Sequence, residues 1–322
     1  MGLPVIQCAW HSYQSFPFDH PLYQAKQSVA DADVVLVLEC DVPWVPGPKA
    51  PSAEAWVCTI DVDPIKHRIP TTAAMRLAAD PLLAIEAITR AAANAISSED
   101  RTRFAQRARR WSEASAARIE AIDRAAFALA GKPMIDPRWL AYQITQLCDD
   151  NSLVIDDTTH DRIFPYLRLS RPGSYFHNPG SAGGWAPGAA LGAKLAAPER
   201  DVIAATGDGF YMYGAPTSAI WAAARHNAPF LTVIFQNRSY TTGTVAVANS
   251  YPDGYAQRSG FDGGYLEPAM DFAKEAEAAG AYGENVRDPA EVGAALRRGL
   301  ERTRAGQPAV ISAWLPRLLQ ED

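Results

Sequence analysis

The stretch GDGFYMYGAPTSAIWAAARHNAPFLTVIFQNRSY, residues 207–240, decides the fold of the second half of this chain. An apolar run, VIAAT, leads into its Gly-Asp-Gly triplet, and a helix-like segment follows. A second apolar run, FLTVIF, ends shortly before Asn237. Unbroken apolar strands joined by a helix are typical of a parallel sheet that is covered on both faces. The stretch therefore predicts a strand–helix–strand unit with Asp208 and Asn237 at the ends of its two strands.

Strands and helices alternate over the rest of the chain as well. The apolar run at 33–40 predicts a strand buried on both faces, and the segment 80–96 has helical periodicity. The other predicted elements are strands at 55–63, 152–156, 201–206, 229–236 and 308–314 and helices at 184–196, 214–227, 267–279 and 288–304. Such alternation with short connections indicates an α/β protein built on mostly parallel sheets.

A long polar helix and a break divide the chain. Residues 98–131 read as one Ala- and Arg-rich helix, and the segment AGKPMIDP at 130–137 interrupts it. We place the domain boundary there. The sequence thus predicts two doubly wound parallel-sheet domains, residues 1–132 and residues 133–322.

The composition is that of a water-soluble globular protein. Of the 322 residues, 48% are hydrophobic and 20% are charged, and the formal net charge is −6. A negative balance is unfavourable for binding nucleic acid, and no apolar run reaches the roughly 18 residues of a membrane span. The chain has no signal-peptide pattern, and its four cysteines form no C-x-x-C pair, which favours reduced thiols in a cytoplasmic protein.

Asp208 and Asn237 are suited to hold a metal ion. Parallel strands end at one edge of a sheet, where ligands bind. Carboxylate and amide oxygens are hard ligands of the kind that Mg²⁺ prefers, and Mg²⁺ usually shares its coordination shell with phosphate. Gly207 and Gly209 let the backbone approach a phosphate closely, and a helix beginning near Gly214 points its N-terminus at the same edge. These residues predict a Mg²⁺–diphosphate site, although Gly-Asp-Gly alone is also an ordinary turn sequence.

The segment 238–266 stands apart from the alternating pattern. It is rich in Gly, Tyr and Ser and shows little periodicity. Long irregular segments within compact domains are usually lids or binding loops. Its tyrosines fit an aromatic-lined lid over an apolar substrate or, more simply, the packing of a large loop.

The same residues resemble a known family. A Gly-Asp-Gly triplet, 27 residues and then Asn-Arg-Ser-Tyr is similar to the thiamine diphosphate motif. The resemblance implies that Asp208, Asn237 and the main-chain carbonyl of Ser239 bind Mg²⁺. It also implies that the backbone amides of Gly209 and Phe210 contact the diphosphate.

The resemblance extends over essentially the whole chain. The sequence DDTTH after the first strand of the second domain lies where the family holds the diphosphate with polar groups. The run GSAGGWAPGAALGAKLA at 180–196 resembles the Gly-rich turn and helix that contact the aminopyrimidine ring. Residues 16–24 and 32–46 resemble the central domain of acetolactate synthase-like and benzoylformate decarboxylase-like enzymes. The cofactor-binding residues implied are Thr159, His160, Gly183, Gly184, Trp185, Gly207, Asp208, Gly209, Phe210, Asn237 and Tyr240.

One position in the Gly-rich turn stays open. The family commonly places a bulky aliphatic residue there to hold the cofactor bent. A direct alignment on AALGA at 189–193 puts Gly183 at this position, whereas a two-residue deletion would put Trp185 there.

The resemblance also implies a part that this chain lacks. Enzymes of this branch usually have three domains, and the first carries a glutamate that protonates the pyrimidine ring. Here the first domain resembles an incomplete central domain that starts at Met1. We therefore expect a second subunit to supply the pyrimidine-binding domain and the activating glutamate, in an α2β2 assembly. The alternatives are a fragment of a single-chain three-domain enzyme and a non-catalytic regulatory relative.

The implied chemistry is cleavage or formation of a C–C bond next to the carbonyl of a small substrate. It covers decarboxylation of 2-oxo acids, acyloin carboligation and 2-hydroxyacyl lyase reactions, so the enzyme would be a lyase or a carboligase. A generic nucleotide-binding α/β protein would instead need G-x-G-x-x-G after its first strand or a Walker loop, and the sequence contains neither.

Overall fold

The computed structural model describes residues 1–7, 12–25, 29–66, 73–158, 163–179 and 182–317. The chain forms two compact units, Met1–Trp10 with His20–Ala116 and His11–Asp19 with Ala117–Asp322. Each unit contains a parallel sheet, which confirms the predicted fold class. The division falls inside one long helix, and the domain boundary predicted after residue 132 remains a prediction.

The first unit is built on a three-stranded parallel sheet with strand order β1-β2-β3. Its elements are β1 (Val34–Leu38), β2 (Trp56–Asp61), β3 (Met75–Ala78), α1 (Pro81–Ala95) and the start of α2 (Ser98–Phe127). Helix α1 begins where the sequence predicts, because the Asp80 side chain accepts a hydrogen bond from the Leu83 amide and Pro81 occupies the first turn. Strand β3 is missing from the prediction, since four residues are too few to show a period.

Strand β1 is less buried than predicted. Val37 is 7% exposed, whereas Val34, Leu36 and Leu38 are between 37% and 54% exposed. The expectation of burial on both faces is therefore wrong for this strand. The apolar run predicts the strand correctly, but the exposure of the strand's side chains depends on what covers the sheet.

The second unit is built on a six-stranded, wholly parallel sheet with strand order β5-β4-β6-β7-β9-β8. The strands are β4 (Ser152–Asp157), β5 (Tyr175–His177), β6 (Asp201–Gly207), β7 (Leu231–Gln236), β8 (Tyr282–Val286) and β9 (Ala309–Trp314). The helices are α3 (Pro137–Leu147), α4 (Trp185–Ala196), α5 (Asp208–Tyr213), α6 (Pro216–Arg225), α7 (Thr241–Ser250), α8 (Tyr255–Arg258), α9 (Phe272–Ala278) and α10 (Val292–Arg304).

Helices cover both faces of this second sheet. On one face, Ala190 of α4 joins a buried cluster with Val202 and Ala204 of β6. On the opposite face, Gly299 of α10 lies so close to the sheet that an added Cβ would be 2.7 Å from Leu231 Cδ1. The sheet is therefore doubly wound, and its carboxyl edge is left to the loops that follow the strands.

Three parts of the second unit differ from the sequence prediction. The segment 238–266 is not irregular throughout, because α7 and α8 lie within it. Strands β5 and β8 were not predicted, since β5 has three residues and β8, with the sequence YGENV, is a half-exposed edge strand. Short or edge strands lack the apolar run that marks the central ones.

The structure also bears on the cysteines and on the expected lack of a membrane span. Cys58 and Cys148 are free thiols, and Cys8 lies outside the described residues. Within the described ranges, none of the helices combines the length and the apolar character needed to cross a bilayer.

Candidate cofactor site

The two strand ends that carry Asp208 and Asn237 are neighbours. Strands β6 and β7 pair in parallel with Gly207 opposite Phe235. Asp208 directly follows β6 and Asn237 directly follows β7, so both leave the sheet at its carboxyl edge. The Arg238 amide donates a hydrogen bond to Asp208 Oδ2, which joins the two chain segments.

The Asp208 carboxylate is buried and hydrogen-bonded to the backbone. The residue is 2% exposed, and Oδ1 accepts a hydrogen bond from the Gly209 amide at 2.9 Å. Burial raises the pKa of Asp208 from 3.8 to about 6, against the opposing effect of the amides. The ionised carboxylate therefore lacks full compensation, and a bound cation would provide it.

Asn237 and Ser239 form a turn at the end of β7. Asn237 Oδ1 accepts a hydrogen bond from the Ser239 amide at 3.0 Å, and Asn237 Nδ2 donates to Thr241 Oγ1 at 2.5 Å. The Ser239 carbonyl accepts a hydrogen bond from the Thr241 amide at 2.9 Å. Since each of these acceptor oxygens has a second lone pair, both retain the capacity to bind a cation.

Tyr240 lies against the Gly-Asp-Gly triplet. A Cβ atom added to Gly209 would be 2.8 Å from Cε1 of the Tyr240 ring, so the ring fits only because residue 209 is glycine. The Tyr240 amide donates to the Gly264 carbonyl at 2.9 Å, which anchors the backbone beneath the ring. A Cβ on Gly207, in contrast, would have no described heavy atom within 4 Å, so Gly207 faces open space.

Two helices, α5 and α6, follow β6 at this edge, where the sequence predicts a single helix beginning near Gly214. Helix α5 begins at Asp208 with Gly207 as its N-cap, whereas the helix expected near Gly214 begins at Pro216. Ala215 separates the two helices in a left-handed conformation with φ of 46°. That the N-terminus of α6 faces the site stays a prediction, and Asp208 and Gly209 of the triplet themselves belong to α5.

The Gly-rich turn packs against α5. A Cβ on Gly183 would be 2.2 Å from Cδ1 of Phe210, and a Cβ on Gly184 would be 2.7 Å from the Gly214 amide nitrogen. Gly184 also has a φ of 100°, which L side chains rarely adopt. The structure thus brings the turn into contact with the Gly-Asp-Gly segment through two glycines.

The choice between Gly183 and Trp185 for the cofactor-bending position stays a prediction. With Phe210 in place, residue 183 has no room for a bulky side chain. Trp185 begins α4, is half-buried, and packs against the hydrophobic cluster beneath that helix.

The sequence analysis missed Asp157, which holds the Gly-rich turn in place. Asp157 is fully buried and accepts three hydrogen bonds, from Asn178 Nδ2 at 2.7 Å, the Gly184 amide at 3.0 Å and the Ala186 amide at 3.2 Å. Burial is the main cause of its raised pKa. The only sequence signal was the acidic pair in DDTTH, and the partners lie at least 21 residues further along the chain.

Thr159 and His160 lie outside the described residues. Their predicted contact with the diphosphate stays a prediction. The neighbouring Thr158 is described, and its amide and Oγ1 both donate to Asp156 Oδ1, at 2.9 Å and 2.6 Å.

A cavity of about 260 Å³ adjoins Asp208. Its lining includes Asp208, Arg238, Tyr240, Tyr265 and Leu266, so charged, phenolic and apolar groups all face it. Pockets that hold a whole small molecule usually enclose about 300–1,000 Å³. This cavity therefore encloses part of a cofactor-sized ligand at most.

The donor set at the carboxyl edge fits magnesium that is shared with a diphosphate. Among the described residues, no three His, Cys, Asp or Glu side chains form a metal-binding group. Mg²⁺ is commonly bound through one or two carboxylates with substrate phosphates and water filling the shell, so it needs no such group. Asp208 with the amide oxygen of Asn237 and the carbonyl of Ser239 is a set of that kind.

Comparison with known families agrees with this chemistry. Residues 158–313 match the family described as thiamine pyrophosphate enzyme, C-terminal TPP binding domain. The matched segment includes Asp208, Asn237 and the Gly-rich turn. Residues 158–313 are therefore similar to the C-terminal cofactor-binding domain of thiamine diphosphate-dependent enzymes.

Parts of the chain are also similar to individual enzymes with different activities. Sulfoacetaldehyde acetyltransferase of Alcaligenes xylosoxydans xylosoxydans is 36% identical over 157 residues, which cover 48% of this chain and 24% of that protein. Benzoylformate decarboxylase of Pseudomonas aeruginosa is 39% identical over 74 residues, which cover 23% of this chain and 14% of that protein. The match with the acetyltransferase spans about a quarter of that protein's length.

A solved structure extends the similarity in fold to nearly the whole chain. The thiamine diphosphate-dependent 4-hydroxybenzoylformate decarboxylase of Rhodococcus jostii RHA1 superposes with a TM-score of 0.70 at 19% identity. The superposition covers 99% of this chain and 57% of that one. Both units described here thus have counterparts in the fold of that enzyme, and the rest of that enzyme has no counterpart in these 322 residues.

Proposed function

We propose that this chain is the diphosphate- and Mg²⁺-binding subunit of a thiamine diphosphate-dependent enzyme that cleaves or forms a C–C bond next to a carbonyl. When bound, the cofactor supplies a nucleophilic carbon and an electron sink for such chemistry. One observation carries the proposal: the buried Asp208 carboxylate is tied to the turn at Asn237 across neighbouring strand ends, inside a domain of the cofactor-binding family.

The chain's own residues would grip the polar end of the cofactor. Asp208, Asn237 Oδ1 and the Ser239 carbonyl would hold Mg²⁺, which would supply positive charge for binding the diphosphate. The open space at Gly207 would admit the diphosphate, and the Phe210 amide of α5 is a candidate donor to it. Thr159 and His160, which lie outside the described residues, would add polar contacts to the diphosphate.

The Gly-rich turn would orient the ring end of the cofactor. Asp157 fixes the turn by three hydrogen bonds, and Gly183 fits against Phe210 of α5. These contacts hold the turn against α5. A preorganised grip of this kind would help to orient a bound cofactor and to limit the access of water.

We further propose that a second subunit supplies the pyrimidine-binding domain and the activating glutamate, in an α2β2 heteromer. The unmatched remainder of the solved decarboxylase is large enough to contain another domain, which supports this proposal. The cavity beside Asp208 is also smaller than a whole cofactor needs.

The substrate class follows from the activities of the relatives. The relatives include a decarboxylase and an acetyltransferase, so we propose a small 2-oxo acid or aldehyde as substrate and lyase or carboligase chemistry. We also propose a location in the reducing cytoplasm, with which the free thiols of Cys58 and Cys148 are consistent.

Titration of the purified protein with thiamine diphosphate, with and without Mg²⁺, tests the cofactor assignment. We expect saturable binding by calorimetry in the presence of Mg²⁺ and none after chelation with EDTA. Absence of binding under both conditions, alone and with a co-expressed subunit that carries a pyrimidine-binding domain, contradicts the proposal. Metal-dependent binding with no turnover of 2-oxo acids or aldehydes in that complex would favour the non-catalytic alternative.

A further inference from the structure

The sheet of the first unit has one face that is apolar throughout. Parallel pairing places Val34 opposite Trp56 and Met75 opposite Cys58, and paired residues point to the same side of a sheet. The alternation of side chains along each strand then defines the whole face. We name it the open sheet face, and its residues are Val34, Leu36, Leu38, Trp56, Cys58, Ile60, Met75 and Leu77.

Six of these eight side chains are exposed. Their exposed fractions lie between 37% and 54%, and the other two, Cys58 and Ile60, are buried in the central strand. On the opposite face, Val57, Thr59 and Asp61 of the central strand are at most 8% exposed, whereas Arg76 and Ala78 of β3 are exposed. The exposed large apolar side chains of the three strands therefore all lie on the open sheet face.

An open face of this kind is unusual for a parallel sheet. Parallel sheets are almost always covered on both faces, as the six-stranded sheet of the second unit is. Contiguous apolar patches at a protein surface commonly mark sites of association. The open sheet face carries no charged side chain, because Arg76 of β3 points to the other side. It therefore suits an apolar protein layer and not a nucleic acid or an acidic ligand.

We propose that an apolar layer of the second subunit, the one that carries the pyrimidine-binding domain, covers the open sheet face. This inference rests on the proposed function. The solved decarboxylase contains the fold of both units and further residues that have no counterpart in this chain. In the proposed enzyme, residues of that kind belong to the second subunit and are available to cover the face. Strands β1 and β3 are also the edge strands of the described three-stranded sheet. A subunit that covers the open sheet face could therefore also form backbone hydrogen bonds with an edge strand.

Hydrogen–deuterium exchange of the full chain, alone and co-expressed with that subunit, locates the contact. We expect a stable heteromer by size exclusion with light scattering and slower exchange in β1 and β3 within the complex. The double variant Val34→Glu/Met75→Glu should weaken the association by about tenfold or more, since it places two charges in an apolar interface. Val45→Glu is the matched control, because Val45 is 76% exposed in the loop after β1 and lies off the sheet face.

Several results would overturn the inference. One is unchanged exchange in β1 and β3 in the complex, and another is equal binding by the double variant and the control. A homodimer of this chain protected on the same strands would assign the face to a second copy. Circular dichroism checks the fold of the double variant, and Val34→Thr/Met75→Gln is the milder pair if it unfolds. Cofactor titration is read separately, so Mg²⁺-dependent binding together with unprotected strands would refute the surface and leave the proposed function intact.

Discussion

Asp208 combines burial with a function that needs charge, and the two requirements conflict in the metal-free protein. Burial raises its pKa to about 6, although two backbone amides stabilise the carboxylate. A cation placed beside it would resolve the conflict. The burial of Asp208 is therefore better explained by a role in binding a metal ion than by a role in stabilising the fold.

Asp208→Asn should separate binding from stability. We expect thiamine diphosphate affinity in the presence of Mg²⁺ to fall by roughly 100-fold, at the upper end of losses seen around metal sites. The free energy of unfolding of the metal-free protein should change by less than about 1 kcal/mol, because the lost amide contact is offset by relief of the buried charge. Calorimetric titration and thermal melts measure the two effects.

The control for this variant is Asp262→Asn, which removes an exposed carboxylate from the same unit. It should alter neither quantity. Equal cofactor affinity in Asp208→Asn and the control would contradict the metal assignment.

Asp157 acts through the backbone of the Gly-rich turn. Asparagine at this position keeps one acceptor oxygen and turns an N–H₂ group towards amide donors, so at least one buried donor loses its partner. We expect Asp157→Asn to lower the free energy of unfolding by about 2 kcal/mol and to weaken cofactor binding as well. Denaturant unfolding and titration with thiamine diphosphate measure the two changes.

Asp150→Asn is the matched control for Asp157→Asn, since Asp150 is exposed near the other end of β4. A variant that unfolds at wild-type denaturant concentrations would show that the three hydrogen bonds do not hold the turn. Unchanged cofactor affinity in a destabilised variant would restrict Asp157 to a structural role.

At the residue level, the sequence predicted which polar groups follow the strands but not the contacts between distant residues. Asp208 and Asn237 each follow an apolar strand, and that pattern is visible in the sequence. The role of Asp157 depends on donors 21 to 29 residues away, which only the packing of the turn on the sheet brings near.

At the scale of elements, two glycines in one region provide an internal comparison. Gly183→Ala would place a Cβ 2.2 Å from Phe210 Cδ1, so the contact between the turn and α5 must open. We expect a loss of about 1–3 kcal/mol in the free energy of unfolding, as for overpacked sites, together with weaker cofactor binding. Thermal or denaturant unfolding measures the loss.

Gly188→Ala is the counterpart within α4, where an added Cβ meets no described atom within 4 Å. It should stabilise the protein by about 0.5–1 kcal/mol, because alanine is the better helix former. If Gly183→Ala and Gly188→Ala lowered the free energy of unfolding equally, the contact between the turn and α5 would not be important for stability.

Elements with a local signal were predicted, and elements without one were not. Helices α1 and α3 begin at Asp80 and Asp136, each of which caps its helix and is followed by proline. Helix α7, with the sequence TTGTVAVANS, has no side-chain cap, and only Thr244 within it is buried. Strand β8 is an edge strand, and its polar residues interrupt the apolar run by which a strand is predicted from sequence. These elements form because the rest of the unit provides a place for them.

At the scale of the whole molecule, the chain alone should be catalytically silent. Its described residues are proposed to bind the metal and the diphosphate, and the activating glutamate is proposed to lie on another subunit. We expect no measurable decarboxylation or carboligation by the purified chain with thiamine diphosphate and Mg²⁺, in an assay that detects carbon dioxide release and acyloin formation. Turnover by the chain alone, lost in Asp208→Asn, would contradict the need for a second subunit.

The sequence by itself determined the alternation of strands and helices, the end points of the central strands, and the residue types that we propose to bind a metal and a diphosphate. These features depend on short-range periodicity and on the residues that follow each strand. Only the tertiary structure decided that β6 and β7 are neighbours, that Asp157 holds the Gly-rich turn, and that one face of the first sheet is uncovered. Strand order and burial depend on contacts between distant residues, and a local pattern contains no information about which distant residues meet.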